Sequence, residues 1–503
     1  MIKKIIERAL HCWDCRLNHC CLDTSGRVKV IIVMLLVLFI PFISYCDDFP
    51  ICTELHTQWQ SSIAWNGTKY LSVWSDARNG SYYDIYARTV DSDQTLGPEH
   101  QIYTTSWKDH MYPDVAWNGE NYLIAFERFQ ISGTRNDIYG MKVDSAGSPF
   151  GSVILICTAA SNQEYPKIAS DGTDYLVVWQ DKRSGEKDIY ARLIEADGTP
   201  GAEIQICIES GNQTDPSIAF DGTHYLVVWA DNRSGNWEIY NRIIDPDGTL
   251  GVETMISTSP LSEPYGTAVA WNGVKYLVVW DKDRDIYGRL ANMDGTPSTD
   301  DIVISNLSNS QYWPAVSWDG ANYIVVWNDY RGDYDIYAQK VSGIGNLVGG
   351  EIAICTASNS QFMPAVASNG NGYFVTWNDY RNGSLSLDDI YGTFGGIITD
   401  VDESNSFSTT QQLSAFPNPF GRESNSIQIS FTLPKASFAD VKIYNIRGEL
   451  VKKLYSGIAN EMIENRVTWD GRDENGRLLS PGIYFYQLKS DCYNEVKKIV
   501  IVR

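Results

Sequence analysis

Residues 221–240 read DGTHYLVVWADNRSGNWEIY, and this phrase decides the fold. It opens on an Asp-Gly turn pair, runs through five apolar residues to Trp229, pauses on Asp231 and Arg233, and closes on Glu-Ile-Tyr. Copies aligned on the Trp fall at Trp74, Phe126, Trp179, Trp229, Trp280, Trp327 and Trp377. Copies aligned on the closing tyrosine fall at Tyr86, Tyr139, Tyr190, Tyr240, Tyr287, Tyr337 and Tyr391. Seven copies spaced by roughly fifty residues are the sequence signature of a propeller or a solenoid.

Each copy spells four strands. A short run such as PSIAF (216–220) meets an Asn-Gly or Asp-Gly pair, which suits a two-residue hairpin turn. The following YLVVW is apolar on both faces and is expected to be the most buried strand. EIYNRIID makes a third strand, and a glycine-bearing turn leads to a fourth, ETMIST. The last copy ends after DDIYGTFGG (388–396) without its fourth strand, whereas ICTELHTQWQSSIAW (51–65) aligns without a gap to ICIESGNQTDPSIAF (206–220). The missing strand is therefore expected near residues 49–54, so that the N-terminus closes the ring and removes an exposed sheet edge. The expected fold is all-β: a seven-bladed β-propeller closed by its N-terminal strand, followed by a small Ig-like β-sandwich.

The phrase and its siblings, VVWADNRSGNWEIYNRIIDPDG among them, resemble the repeats of TolB-like propellers over residues 49–396. That resemblance implies a fold and selects no activity. Past a polar linker, FPNPF (416–420), VKIYNIRGELV, WDGRDENG and SPGIYFYQLK follow in order. They resemble the type A C-terminal sorting domain of type IX secretion cargo, which is similar to the Ig-like domain of flagellar hook-capping proteins. This resemblance implies a Gram-negative bacterium, passage across its outer membrane by the type IX machinery, and release or fixation at the cell surface.

The N-terminus fits that route. VKVIIVMLLVLFIPFISYC (28–46) has the basic flank and apolar core of a signal peptide rather than a permanent span. Before it, Cys12, Cys15, Cys20 and Cys21 stand with His11 and His19 at a spacing loosely like zinc ligands, although a downstream translation start near Val28 explains that extension more simply. Tyr45 is too large for the site of a lipidated Cys46. The expected division is 1–46 signal peptide with an extension, 47–398 propeller, 399–412 linker and 413–503 sorting domain.

A net charge of −22 argues against nucleic acid as a partner, because phosphate binding needs a cationic face. The same acidity suits structural Ca²⁺, yet turns such as DPDG (245–248) lack the spaced ligands and distal Glu of a calcium loop. No other cofactor and no metal site are expected. His56, His100, His110 and His224 fall at different repeat positions, which speaks against a histidine triad. Cys52, Cys157, Cys207 and Cys355 sit in phase on the fourth strands, too far apart for disulfides, and read as buried small residues.

The pairs Asp76/Arg78, Asp181/Arg183, Asp231/Arg233, Asp329/Arg331 and Asp379/Arg381 are spread round the ring and read as structural, each aspartate capping its loop and pairing with the arginine. The copies at Phe126 and Trp280 depart from the rule. Loops on the same face carry Tyr112, Tyr165, Tyr312, Trp313 and Phe362 beside Asn and Gln amides, a combination that suits sugar rings or peptides. The expected function is non-catalytic binding of glycan or protein through that face by a monomeric exported protein. The alternatives are a polysaccharide-degrading hydrolase with carboxylates in the funnel, for which Glu127 and Arg128 mark the place to look, and a structural envelope-associated role.

Overall fold

The computed structural model describes residues 48–396, apart from 81, 107, 131–134, 259, 261, 263 and 383–387, and much of 413–501, leaving out 417–425, 432–436, 446–449, 460–464 and 491–493. The expected signal peptide, its Cys/His-rich extension, Cys46 and the linker lie outside these residues. The chain divides into two compact units, 1–400 and 401–503. Among the described residues every element is a strand.

The first unit holds seven four-stranded antiparallel sheets among its described residues. In the first sheet, Gln58–Trp65, Tyr70–Asp76, Asp84–Val90 and Leu96–Tyr103 pair in sequence order. Five more meanders follow within 110–157, 163–207, 213–255, 267–305 and 311–355. The seventh takes Gln361–Ser368, Gly372–Asp379 and Asp389–Gly396 from one end of the repeat and Phe49–Cys52 from the other. Phe49 pairs antiparallel with Gly392 and Cys52 with Ile390. The innermost strand of each sheet packs on those of its neighbours, and the contacts return from the seventh sheet to the first. Repeated four-stranded sheets packed in this manner are consistent with a propeller.

The doubly apolar second strand is explained by this packing. Leu226, Val228 and Ala230 join a core with Val278 and Trp280 of the fifth sheet, while Val227 and Trp229 join Leu176 and Val178 of the third. Alternate side chains thus serve two separate cores, and each fully buried aliphatic residue contributes about 1.5–3 kcal/mol. A single sheet would leave one of those faces wet.

Two local expectations are corrected. The first hairpin is not a two-residue turn: Trp65 pairs with Tyr70, leaving four residues, 66–69. Asn66 Oδ1 accepts the N–H groups of Thr68 and Lys69, and Gly67 takes φ +95°. The side chain closes the turn itself, so only one residue needs the positive φ. The innermost strand is also longer than PSIAF. In the fourth sheet it starts at Gln213 and carries a bulge between Thr214 and Ser217, at Pro216. Proline lacks the N–H that the ladder needs, and the bulge accommodates it.

The second unit contains a three-stranded sheet, Leu413–Phe416, Ile427–Phe431 and Asn465–Trp469, and a four-stranded sheet ordered Leu450–Ala459, Ser437–Asn445, Gly482–Ser490 and Asn494–Ile501. Alternate residues Ile427, Ile429 and Phe431 meet Val441, Ile443, Tyr484, Tyr486 and Leu488 in one core around Trp469. Period-two burial from two sheets onto one core is what alternating strands produce.

Candidate functional site

The repeated charged pairs come first, because they show what a structural position looks like in this chain. Each aspartate of the five pairs is at most 1% exposed. One carboxylate oxygen accepts the indole N–H two residues earlier, at 2.8–3.2 Å, and the arginine Nη2 two residues later. The arginine then reaches a second carboxylate on the fourth strand, Glu99, Glu203, Glu253 or Glu351, or, in the seventh sheet, Asp48 directly before that strand. Its plane lies over the closing tyrosine, with 3.6–4.4 Å from Cζ to the ring centre.

The in-phase cysteines belong to the same latch. Arg78, Arg183, Arg233 and Arg381 donate to Cys52, Cys157, Cys207 and Cys355 of the preceding sheet at 3.0–3.2 Å. All four thiols are free and buried, and burial pushes those of Cys157, Cys207 and Cys355 up to about 12.

The two departing copies fill the same places by other means. In the second sheet Arg128 lies over Tyr139 at 4.8 Å, and in the fifth Lys282 lies over Tyr287 at 5.4 Å. The second sheet has lost the aspartate and, with Phe126, the indole N–H that needed it. The fifth kept Trp280, whose buried Nε1 has no partner.

A second repeated feature has the opposite character. At the bulge of the innermost strand, Gln60, Tyr112, Tyr165, Asp215, Trp313 and Met363 take φ between +51° and +56°. Left-handed backbone costs a non-glycine residue roughly 1–2 kcal/mol. Neighbouring sheets hold it in place. The N–H groups of Gln60, Tyr165, Asp215 and Met363 donate to Asn378, Glu127, Gln180 and Asn328, each directly after the tryptophan position of the preceding sheet. In the fifth sheet Gly266 stands at this place, and its N–H and that of Tyr265 donate to Asp281.

These bulge residues line one cavity of about 400 Å³, together with Tyr265, Asp114 and Lys167. Every one of the seven sheets contributes to the wall. Rings continue outward from it: Tyr83, Trp59, Tyr112 and Tyr165 touch in series, with 4.6 Å between the last two centres. Tyr265 meets Tyr312 at 4.8 Å and Trp313 at 5.9 Å, and Tyr330, Tyr334, Phe362 and Tyr380 form a further series. The fourth sheet interrupts the aromatics with Thr214 and Asp215.

The five loop aromatics singled out in the sequence therefore separate. Tyr112, Tyr165 and Trp313 line the cavity, whereas Tyr312 and Phe362, one residue earlier, pack on neighbouring rings. Gln60, Asp215, Tyr265 and Met363 were missed. Position before proline was the available signal for Asp215 and Met363; selection by aromatic character passed over it.

The loop amides are committed elsewhere. Gln58, Gln163, Gln213, Gln311 and Gln361 are fully buried and donate to loop carbonyls, and Asn162 and Asn212 accept the N–H groups of Asn136 and Lys187. Asp114 is likewise engaged, accepting from Ser62 Oγ at 2.6 Å and Ile168 N at 2.9 Å. Behind the wall, burial raises the Glu127 carboxyl to about 8 and Asp281 to about 7. Among the described residues no group of three or more His, Cys, Asp or Glu is placed to hold a metal, and no helix is long and apolar enough to cross a membrane.

Residues 414–502 match the secretion system C-terminal sorting domain. Bearing this type IX tail, the chain is exported cargo that engages the secretion machinery and is released from, or attached to, the outer surface of a Gram-negative bacterium. No curated protein matches the chain. Among solved structures, the β-propeller domain of the trilobed protease from Pyrococcus furiosus is 12% identical, with 68% of this chain and 94% of that one covered and a TM-score of 0.42. PorZ, a surface component of the type IX secretion system of Porphyromonas gingivalis, is also 12% identical, covering 88% of this chain, with a TM-score of 0.39; the chain spans 59% of its length. A putative TolB from Agrobacterium tumefaciens is 16% identical over 60% of this chain and 95% of that one, with a TM-score of 0.34.

Proposed function

We propose that residues 47–398 form a seven-bladed propeller closed by the N-terminal strand, that 399–412 link it to an Ig-like sorting domain at 413–503, and that the propeller binds a glycan or a protein, without catalysis, at the mouth of its central channel. The pairing of Phe49–Cys52 with the last strand, and the Asp48–Arg381 ion pair in phase with Glu203–Arg183, support closure. The observation that carries the binding reading is the cavity itself. Seven sheets line one place, six of them through a left-handed backbone position, and in four of these a neighbouring sheet accepts its N–H. Preorganised aromatic surface of this kind binds with little ordering cost.

A hydrolase reading has its own observation: Asp114 and Asp215 line the cavity, with the neutral Glu127 carboxyl behind Tyr165. One experiment separates the readings. The purified full-length protein is passed over a panel of polysaccharides and outer-surface proteins, and retention and released sugar are scored together. Retention without release, lost when Tyr112, Tyr165 and Trp313 are replaced, is the expected result. Release of oligosaccharide would move the function to the carboxylates. A stable protein partner that these replacements do not disturb would favour the structural, envelope-associated role.

A further inference from the structure

The chemistry of the cavity wall narrows the ligand, and the narrowing rests on the binding reading above. On each innermost strand one residue pairs with the residue just before the tryptophan position of its own sheet. In the first four sheets these residues are Ser62, Asp114, Lys167 and Ser217. In the last three they are Ala268, Ala315 and Ala365. All of them line the cavity, and the residue after each is an isoleucine or a valine. Successive sheets are neighbours, so at this place in the repeat the wall has a polar side and an apolar side. Trp313 and Met363 join the alanines on the apolar side.

The polar groups differ in what they still offer. Ser62 Oγ donates to Asp114 Oδ1 and Ile168 N to Asp114 Oδ2, which leaves each carboxylate oxygen a further acceptor position. Thr267 Oγ1, also on the wall, is committed to the Asp215 carbonyl, and Asp215 is itself engaged within the protein. Lys167 Nζ and Ser217 Oγ have no hydrogen bond or ion pair among the described residues, and the Gln60 amide oxygen on the same wall has no partner.

An ammonium, a carboxylate, a hydroxyl and an amide on one wall suit a ligand that both donates and accepts. A cationic ligand would face Lys167, and an anionic one Asp114 and Asp215. A neutral polyol meets neither repulsion. A sugar ring supplies the other half of the match, because its edge carries hydroxyls while its face carries C–H groups that suit alanine methyls and an indole. A cavity of about 400 Å³ lies in the range of small-ligand sites.

We propose that the ligand is a neutral glycan, and that one of its hexose residues occupies the cavity with hydroxyls on Lys167, Ser217 and Asp114 and its C–H face toward Trp313 and the alanines.

The repeat itself supplies the test variants. Alanine already stands at this place in three sheets, so Lys167→Ala and Ser217→Ala are compatible with the fold, and unchanged melting temperatures would verify that. The full-length protein is titrated calorimetrically with three neutral hexose polymers, laminarin, an α-mannan and a β-galactan, and with polygalacturonate and chitosan as anionic and cationic controls. At least one neutral polymer is expected to bind about tenfold more tightly than either control. Lys167→Ala should weaken that binding about tenfold, as loss of a hydrogen bond from a charged donor does, and Ser217→Ala about threefold. Lys167→Arg keeps a donor and should bind more tightly than Lys167→Ala. Binding of a charged polymer alone, or neutral binding indifferent to both alanine substitutions, overturns the proposal. Should no polysaccharide bind while an outer-surface protein is retained by the wild type and lost when Tyr112, Tyr165 and Trp313 are replaced, the binding reading stands and the glycan assignment falls. Silence toward polysaccharides and proteins alike overturns both.

Discussion

The latch and the mouth are both repeated from sheet to sheet, yet they repeat different things. At the latch the residue recurs: the same Trp, Asp, Arg and Tyr make the same contacts in sheet after sheet. At the mouth the backbone recurs, with φ near +52° in six sheets, while the side chain changes from Gln to Tyr, Asp, Trp and Met. A position whose chemistry the fold requires keeps its residue in most copies, five of the seven at the latch. One whose geometry alone is required is free to carry something else. Substitutions at the two places should therefore behave differently.

The largest effect should come from the latch. Arg233→Ala leaves the buried Asp231 without its cation, and removing one partner of a buried pair costs about 3 kcal/mol. Denaturant unfolding of the variant should show that loss, with the affinity of the remaining folded protein unchanged. A stability change below about 0.5 kcal/mol would mean that the latch is ornamental and would blur the distinction.

Next in size is a pH effect at Glu127. Its carboxyl stays protonated in the folded protein up to about pH 8, whereas in the unfolded chain it ionises near 4.5. The folded state thus holds one more proton between those values, so stability falls as pH rises from 4.5 to 8 and is flat above. Glu127→Gln does not titrate and should escape this fall. A variant matched to the wild type at pH 5 should exceed it by roughly 2.5 kcal/mol at pH 7, and by more at pH 8. Parallel pH–stability curves for the two proteins would contradict the buried neutral carboxyl.

The smallest expected effect is a repair. Lys282→Asp in the fifth sheet gives the orphaned Trp280 N–H an acceptor, and a buried hydrogen bond is worth about 1 kcal/mol. Thermal unfolding should rise slightly. A fall would mean that the Lys282–Tyr287 contact matters more than the missing bond.

The same contrast explains how much was legible in the sequence. The four-strand copies and the displaced first strand could be read because latch residues recur as letters: Trp179, Trp229 and Trp327 announce one another. The tail could be read because WDGRDENG and SPGIYFYQLK are words in themselves. The mouth could not be read in this way, since Gln60, Asp215 and Met363 share no chemistry, only a left-handed φ held by the preceding sheet. Proline after Asp215 and Met363 marked the place without saying what it was for. Nor could the sequence show that loop glutamines such as Gln213 would turn inward, because an amide beside an aromatic looks the same whether it serves ligand or backbone.

The central claim is that the mouth side chains have no structural task and serve a ligand. It is tested most directly by replacing Tyr112, Tyr165 and Trp313 together with asparagine and measuring melting temperature and ligand retention on the same preparation. The account predicts a melting temperature within a few degrees of the wild type, since left-handed strain is relieved as ring contacts are lost, together with loss of retention. Retention at the wild-type level, or a collapse of stability like that of the latch variant, would contradict it.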